Sequence, residues 1–174
     1  MQIIREIATH RALYLLPDFE PVSISARGLI TPSLRALDVH PDTHEAVSGQ
    51  PPELWLGGAL SYNAGVWTVL DAPAYAQAQA TKLDSLQATI VMATQQRLDV
   101  FFQTRGYDGI LSAATYATSS VPKFAAEGQY AVAARDATWA GLYDFMAQVQ
   151  AGAAPMPTSY ADVEPLLPVL TWPA

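Results

Sequence analysis

The side chains able to do chemistry are few and scattered. The three His, His10, His40 and His44, all lie in the first 44 residues, and the chain has no Cys. His40 and His44 stand four apart beside Asp38, Asp42 and Glu45. A metal needs three or four ligands on a rigid frame, and Pro41 interrupts any helical presentation of the pair. The segment reads as a solvated polar loop, with no metal. His10 adjoins Arg11 and has no acidic neighbour to orient it, so it reads as a surface residue. Without Cys there is no thiol nucleophile, thiolate metal site or disulfide. A Ser nucleophile would need a base from those first 44 residues, and no G-x-S-x-G, G-x-G-x-x-G or P-loop motif occurs. Paired carboxylates are the remaining route, as in glycosidases: Asp99 with Asp108, or Asp136 with Asp144. Such acids work in a cleft that raises one pKa by burial, and nothing in the sequence suggests one. Asp108 is placed to cap a helix, and Asp136 beside Arg135 suits a solvated face. The expectation is a non-enzyme with no catalytic residue and no cofactor.

Composition narrows the partners. Nine Lys and Arg face 16 Asp and Glu, a net charge of -7, which argues against nucleic acid. No apolar run reaches the ~20 residues of a membrane helix. Arg5, Glu6, His10 and Arg11 interrupt the N-terminal apolar stretch where a signal peptide needs continuity, so the chain is expected to be cytoplasmic where it is made. Only 14% of residues are charged against 51% hydrophobic, below the ~25% charged of an average domain. Such a surface suits a protein covered by partners.

The composition changes along the chain. Residues 1–70 carry all the His and six Pro, whereas residues 74–151 are Ala-rich with Pro122 their sole Pro. This predicts an α+β protein: a small β-rich N-terminal part (1–70), a helical hairpin or three-helix unit (71–152) and a Pro-rich C-terminal strap (153–174) around Trp172. Ile3–Ala8, Ala12–Leu16 and Val22–Ala26 read as strands, and residues 38–53 as a loop. Ala59–Tyr62 and Val66–Leu70 read as a hairpin with a three-residue loop, Asn63-Ala64-Gly65. Two strands alone are marginal, so this hairpin needs other strands, a helix or another protein to pack on. Asp71 and Pro73 open a helix running to about Thr104, with Leu83, Leu86, Ile90, Leu98, Phe101 and Phe102 on its apolar face. Asp108 caps a short helix to about Ala117. Pro122 starts a third, to about Ala151, packing through Phe124, Val132, Trp139, Leu142, Tyr143, Met146 and Val149. Gly128 and Gly141 within it point to a closely approaching neighbour.

Trp55, Tyr62 and Trp67 cluster on the predicted hairpin. So small an element cannot bury two Trp by itself, which marks it as an interface. Trp55, Leu56, Tyr62 and Trp67 are the expected partner-binding residues, joined by Phe19 and Leu29.

The stretch WLGGALSYNAGVWTV followed by DAPAYAQAQATKLDSLQ resembles tail-fibre assembly proteins of tailed bacteriophages, in which a Trp-bearing hairpin precedes a long Ala- and Gln-rich helix. The ending LPVLTWPA is similar to the Trp-Pro ending of several of them. The segment RGYDGILSAATYATSSVPKFAAEGQYAVAARDATWAGLY resembles a helical domain found in tail-fibre gene clusters. Together these cover about residues 54–174. The resemblance implies a protein that binds the distal part of a trimeric tail fibre and helps it fold, trimerise or attach. It would act in the host cytoplasm during assembly, or stay in the virion tail as a permanent structural component. The long helices suit a homo-oligomer. No catalytic residues accompany the resemblance. A cell-wall or glycan hydrolase is the remaining alternative.

Overall fold

The structure, a computed structural model, describes residues 1–173 and is α+β: antiparallel sheets in the N-terminal part, helices in the C-terminal part. It divides into two compact units, Met1–Lys82 and Leu83–Ala174, the boundary falling within the first long helix.

In the first unit, β1 (Gln2–Glu6) is an inner strand of a five-stranded sheet. It pairs on one side with β2 (Arg11–Leu16), which leads to the hairpin β7 (Leu60–Asn63) and β8 (Val66–Val69). On the other side it pairs with β6 (His44–Ser48), giving the order β6-β1-β2-β7-β8. A second, three-stranded sheet is made of β3 (Ile24–Ser25), β4 (Gly28–Ile30) and β5 (Arg35–Ala36). Successive side chains of a strand point to opposite faces, yet adjacent Ile3 and Ile4 are both fully buried. The large sheet is therefore covered on both sides. Ile4 packs with Leu16, Leu29, Ala36 and Val39, so the small sheet roofs one face. Ile3 packs with Ala12 and Tyr62, flanked by Leu15, Val47, Trp55 and Trp67, on the other.

Two expectations are corrected here. The segment 38–53 is not all loop, because β6 pairs with the whole of β1, from Gln2↔Ser48 to Glu6↔His44. Its sequence HEAVS has too little alternation to announce a strand; backbone pairing with a buried neighbour decides it. The hairpin loop is one residue shorter than predicted, since Asn63 stays in the ladder opposite Val66. Ala64 and Gly65 make the turn at φ 49° and 87°, the paired positive values that match the twist of the flanking strands.

In the second unit, the long helix α1 (Ala72–Gln103) begins upstream, where the Ala74 amide donates to Asp71 Oδ1 at 3.0 Å, as a cap does. A short helix α2 (Ile110–Ala114) runs into a 3-10 turn (Thr115–Thr118), and α3 (Pro122–Gln150) follows. Ile90 of α1 shares a cluster with Leu142 of α3, and Leu98 shares another with Ala134 and Ala131. Phe102 faces Tyr130 with ring centroids 5.9 Å apart, which makes the seam antiparallel. The predicted face of α3 is partly corrected: Leu142 is buried and Trp139 and Met146 pack on the core, but Phe124 and Tyr143 are exposed, while Glu127, Gly128, Ala131, Ala134 and Thr138 are buried. Small residues let α3 approach its neighbours, and this closeness excludes the large side chains that periodicity favours. Gly128 shows why, because a Cβ there would lie 2.3 Å from the Ala117 backbone nitrogen. Gly141 has no such constraint; its Cβ would meet only Pro168 at 3.7 Å.

The strap folds onto this unit through two 3-10 turns, Tyr160–Asp162 and Glu164–Leu166, with Val163 and Leu167 buried. Trp172 stacks on Phe101 (4.7 Å) and meets Phe102 edge-on (4.9 Å), with the Arg105 guanidinium 4.4 Å over its ring. Its indole N–H donates to Thr104 Oγ1.

Candidate functional site

The hairpin was expected to find cover for its rings on another polypeptide. The first unit covers much of them itself. Tyr62 is 8% exposed in the core with Ile3 and Ala12. It pairs across the hairpin with Trp67, centroids 4.7 Å apart, and Trp55 meets Trp67 edge-on at 6.1 Å. Trp67 donates its indole N–H to the Gln50 carbonyl at 3.0 Å. Trp55, Leu56 and Trp67 are half-buried. Leu29 is fully buried beneath the small sheet. Leu29 and Tyr62 are thus removed from the candidate surface, because β1, β2 and β6 supply the platform the hairpin lacks alone. Phe19 is 89% exposed and remains on it.

The hairpin presents an edge. β8 is the outer strand of its sheet, so one side of its backbone has no strand partner among the described residues. Val66 is 63% exposed, and Val69 and Leu70 are also exposed. Natural sheets blunt such edges with charge, Pro or a bulge. The opposite edge follows that rule: β6 carries His44 and Glu45, and Glu45 is held by Arg5 at 2.7 Å. β8 does not, for no charged residue lies between Glu53 and Asp71 and no Pro interrupts the strand. Val66, Val69 and Leu70 escape a search for aromatic anchors, although that charge-free run is readable in the sequence.

Of the four carboxylates, Asp99 and Asp136 have partners of their own. Asp99 Oδ1 accepts from the Ile110 amide at 2.9 Å, and its other oxygen accepts from Gln95. The helix cap expected of Asp108 therefore comes from Asp99, across the turn. Asp136 is bound by adjacent Arg135 on the surface, and Asp108 and Asp144 are exposed. His44 Nδ1 accepts from the His40 amide at 3.2 Å within its own loop. Among the described residues no three His, Asp or Glu side chains converge as a metal would require.

Two buried acids were missed. Glu127, 3% exposed, accepts from Tyr107 Oη at 2.6 Å and from Arg105. The Tyr107 hydrogen bond, helped by Arg105, holds its carboxyl below the usual range despite burial. Burial and the adjoining Glu127 push the Tyr107 phenol up to about 12. Since Arg105 also lies over Trp172, this group anchors the strap. Glu20 is held below its ordinary pKa chiefly by the Ser33 hydroxyl, then by Thr31 and the Ser33 amide, pinning the loop after β2. A lone Glu in a loop carries no sequence signal of such a role. Comparisons with protein-family models, curated protein sequences and solved structures yield no match.

Proposed function

We propose that this chain is a non-enzymatic binding module of a bacteriophage tail, which docks on the trimeric tail fibre and assists its folding, trimerisation or attachment. The observation that carries the reading is the unprotected β8 edge. An edge with free backbone groups and apolar side chains recruits a partner strand by main-chain pairing, with side-chain pockets adding selectivity. Fibre tips rich in strands offer the complementary edge. The Trp-bearing hairpin, the Ala- and Gln-rich helix and the Trp-Pro ending support the choice of partner. The half-buried faces of Trp55 and Trp67 border the paired strand and gain cover from it. In this reading the chain acts in the host cytoplasm during assembly.

Co-expression with the fibre protein of the same phage tests this. SDS-resistant fibre trimers are expected to increase with the wild type and to fall to the level without it for Val66→Lys. Equal trimer yield with and without the chain removes the assembly role. A second reading, a permanent tail subunit, is favoured by the apolar side chains also exposed on the helical unit: Met92, Val100, Leu111 and Tyr143. These faces could also join copies of the chain through the long helices. Stoichiometric amounts in purified particles, measured by mass spectrometry, would establish the resident subunit.

A further inference from the structure

Three buried polar atoms in the helical unit have no hydrogen-bond partner in the protein: Arg97 Nη1, Thr138 Oγ1 and Tyr160 Oη. They belong to one layer. On α1, Thr94 lies between Ile90 and Leu98; on α3, Thr138 lies between Leu142 and Ala134. Ile90 and Leu142 share one apolar cluster, Leu98 and Ala134 the next, so the two fully buried Thr sit at the same level between them. Arg97 follows Thr94 by one turn, giving Nη2 to the Pro168 carbonyl at 2.7 Å, with Glu164 3.9 Å from Nε. Tyr160 packs on the Ile90–Leu142 cluster, and Thr94, Arg97 and Glu164 are the polar groups around its hydroxyl. Thr94 donates to the Ile90 carbonyl at 2.8 Å, so towards Tyr160 it can only accept, and its oxygen lies near the Tyr160 hydroxyl without reaching hydrogen-bond geometry.

We infer that Arg97, Thr138 and Tyr160 form an interior site for one small hydrogen-bond acceptor, a water molecule or a chloride ion, which ties the strap to α1 and α3. Native interiors rarely leave polar atoms unpaired, and a buried water typically meets about three of them. The donor set suits an acceptor: a guanidinium N–H that can only donate, and two hydroxyls that can donate or accept. Each of the three elements contributes one group, so the bound species joins α3 to the contact that Arg97 already makes with the strap.

A double-mutant cycle of Thr138→Val and Tyr160→Phe, by urea unfolding of the full chain in sodium chloride and in sodium gluconate, tests the site. Each single change is expected to raise the unfolded-to-folded ratio roughly tenfold. The double variant should rise by much less than the product, because both changes release the same bound species. Equal effects in the two salts identify water; a wild-type gain specific to chloride, lost in the variants, identifies the ion. If the effects simply multiply, or if either single change leaves stability unchanged or higher, the site does not exist. Thr138→Ser keeps the hydroxyl and should stay within about threefold of wild type. Should Thr138→Val fail to fold, Tyr160→Phe alone decides, since removal of an unpaired buried hydroxyl would stabilise.

Discussion

In the N-terminal unit one strand carries two cores, Ile3 under the Trp and Tyr rings and Ile4 under the small sheet. In the C-terminal unit α3 places Thr138 towards Thr94 of α1, Gly128 against the 3-10 turn and Glu127 against Arg105 and Tyr107, with Met92, Leu111 and Tyr143 turned outward. The first unit buries its large side chains and leaves an apolar edge of backbone. The second buries small and polar residues of α3 beside large ones such as Phe102 and Leu98, and leaves apolar side chains on helix faces. A sheet keeps its neighbours a fixed distance apart, so large residues fill the space between layers. Helices can approach more closely, and the closest approach selects for small size over hydrophobicity.

The largest test of this contrast is Phe102→Ala. Phe102 is fully buried and is touched by Phe101, Tyr130 and Trp172. Its truncation should cost about 3–5 kcal/mol by urea unfolding, with a red shift of Trp172 emission as the strap loosens. Gly128→Ala sharpens the point. Ala is the better helix former by ~1 kcal/mol, yet the new methyl collides with the Ala117 backbone, so a net loss of about 1–3 kcal/mol is expected. Gly141→Ala, on the same helix with room for a methyl, should gain up to ~1 kcal/mol. Equal outcomes at the two glycines in thermal unfolding would show that packing does not distinguish them.

These cases explain what the sequence disclosed. The first two strands and the long helices are legible, because Pro17, Pro122, Asp71 and Gly152 punctuate them and Ile90, Leu98 and Phe102 recur at helical spacing; β4 and β5 are too short to carry a pattern. The β7–β8 hairpin announced itself by its turn. The strand β6 did not, since its pairing comes from β1 rather than from its own pattern. The buried face of α3 was misread because hydrophobic periodicity selects Tyr143 and passes over Thr138 and Glu127. The candidate surface is half legible: the turn and the Trp residues announce the hairpin, whereas the free edge beside them shows only in the strand order.

The buried charge of the second unit predicts a response to pH that bounds its stability on both sides. Glu127 has a lowered folded pKa, so its contribution is present above the ordinary carboxylate value of 4.5 and is lost as pH falls through the folded value. Tyr107 is raised from 10.0 to about 12, so its contribution is full below pH 10 and disappears between 10 and about 12. Urea midpoints across pH should fall at both ends for the wild type. Glu127→Gln should flatten the acid limb and shift the alkaline one down toward the ordinary Tyr value. An acid limb unchanged in that variant would assign it to other carboxylates, Glu20 and Asp162 among them, whose pKa values are also lowered.

The smallest effect on folding is expected where the effect on binding is largest. Val66 is exposed on the outer strand, and a Lys there costs the fold no buried contact, so Val66→Lys should stay within about 0.5 kcal/mol of wild type. The charge is the device that natural edges use against strand addition, so capture of the fibre should be lost. Tyr62→Ala reverses the pattern: it removes a core ring and should cost about 3–5 kcal/mol by urea unfolding. Measured together, the two variants separate an edge that recruits from rings that support it. If Val66→Lys binds the fibre as well as the wild type does, the contact lies elsewhere, and exposed Phe19 becomes the next position to change.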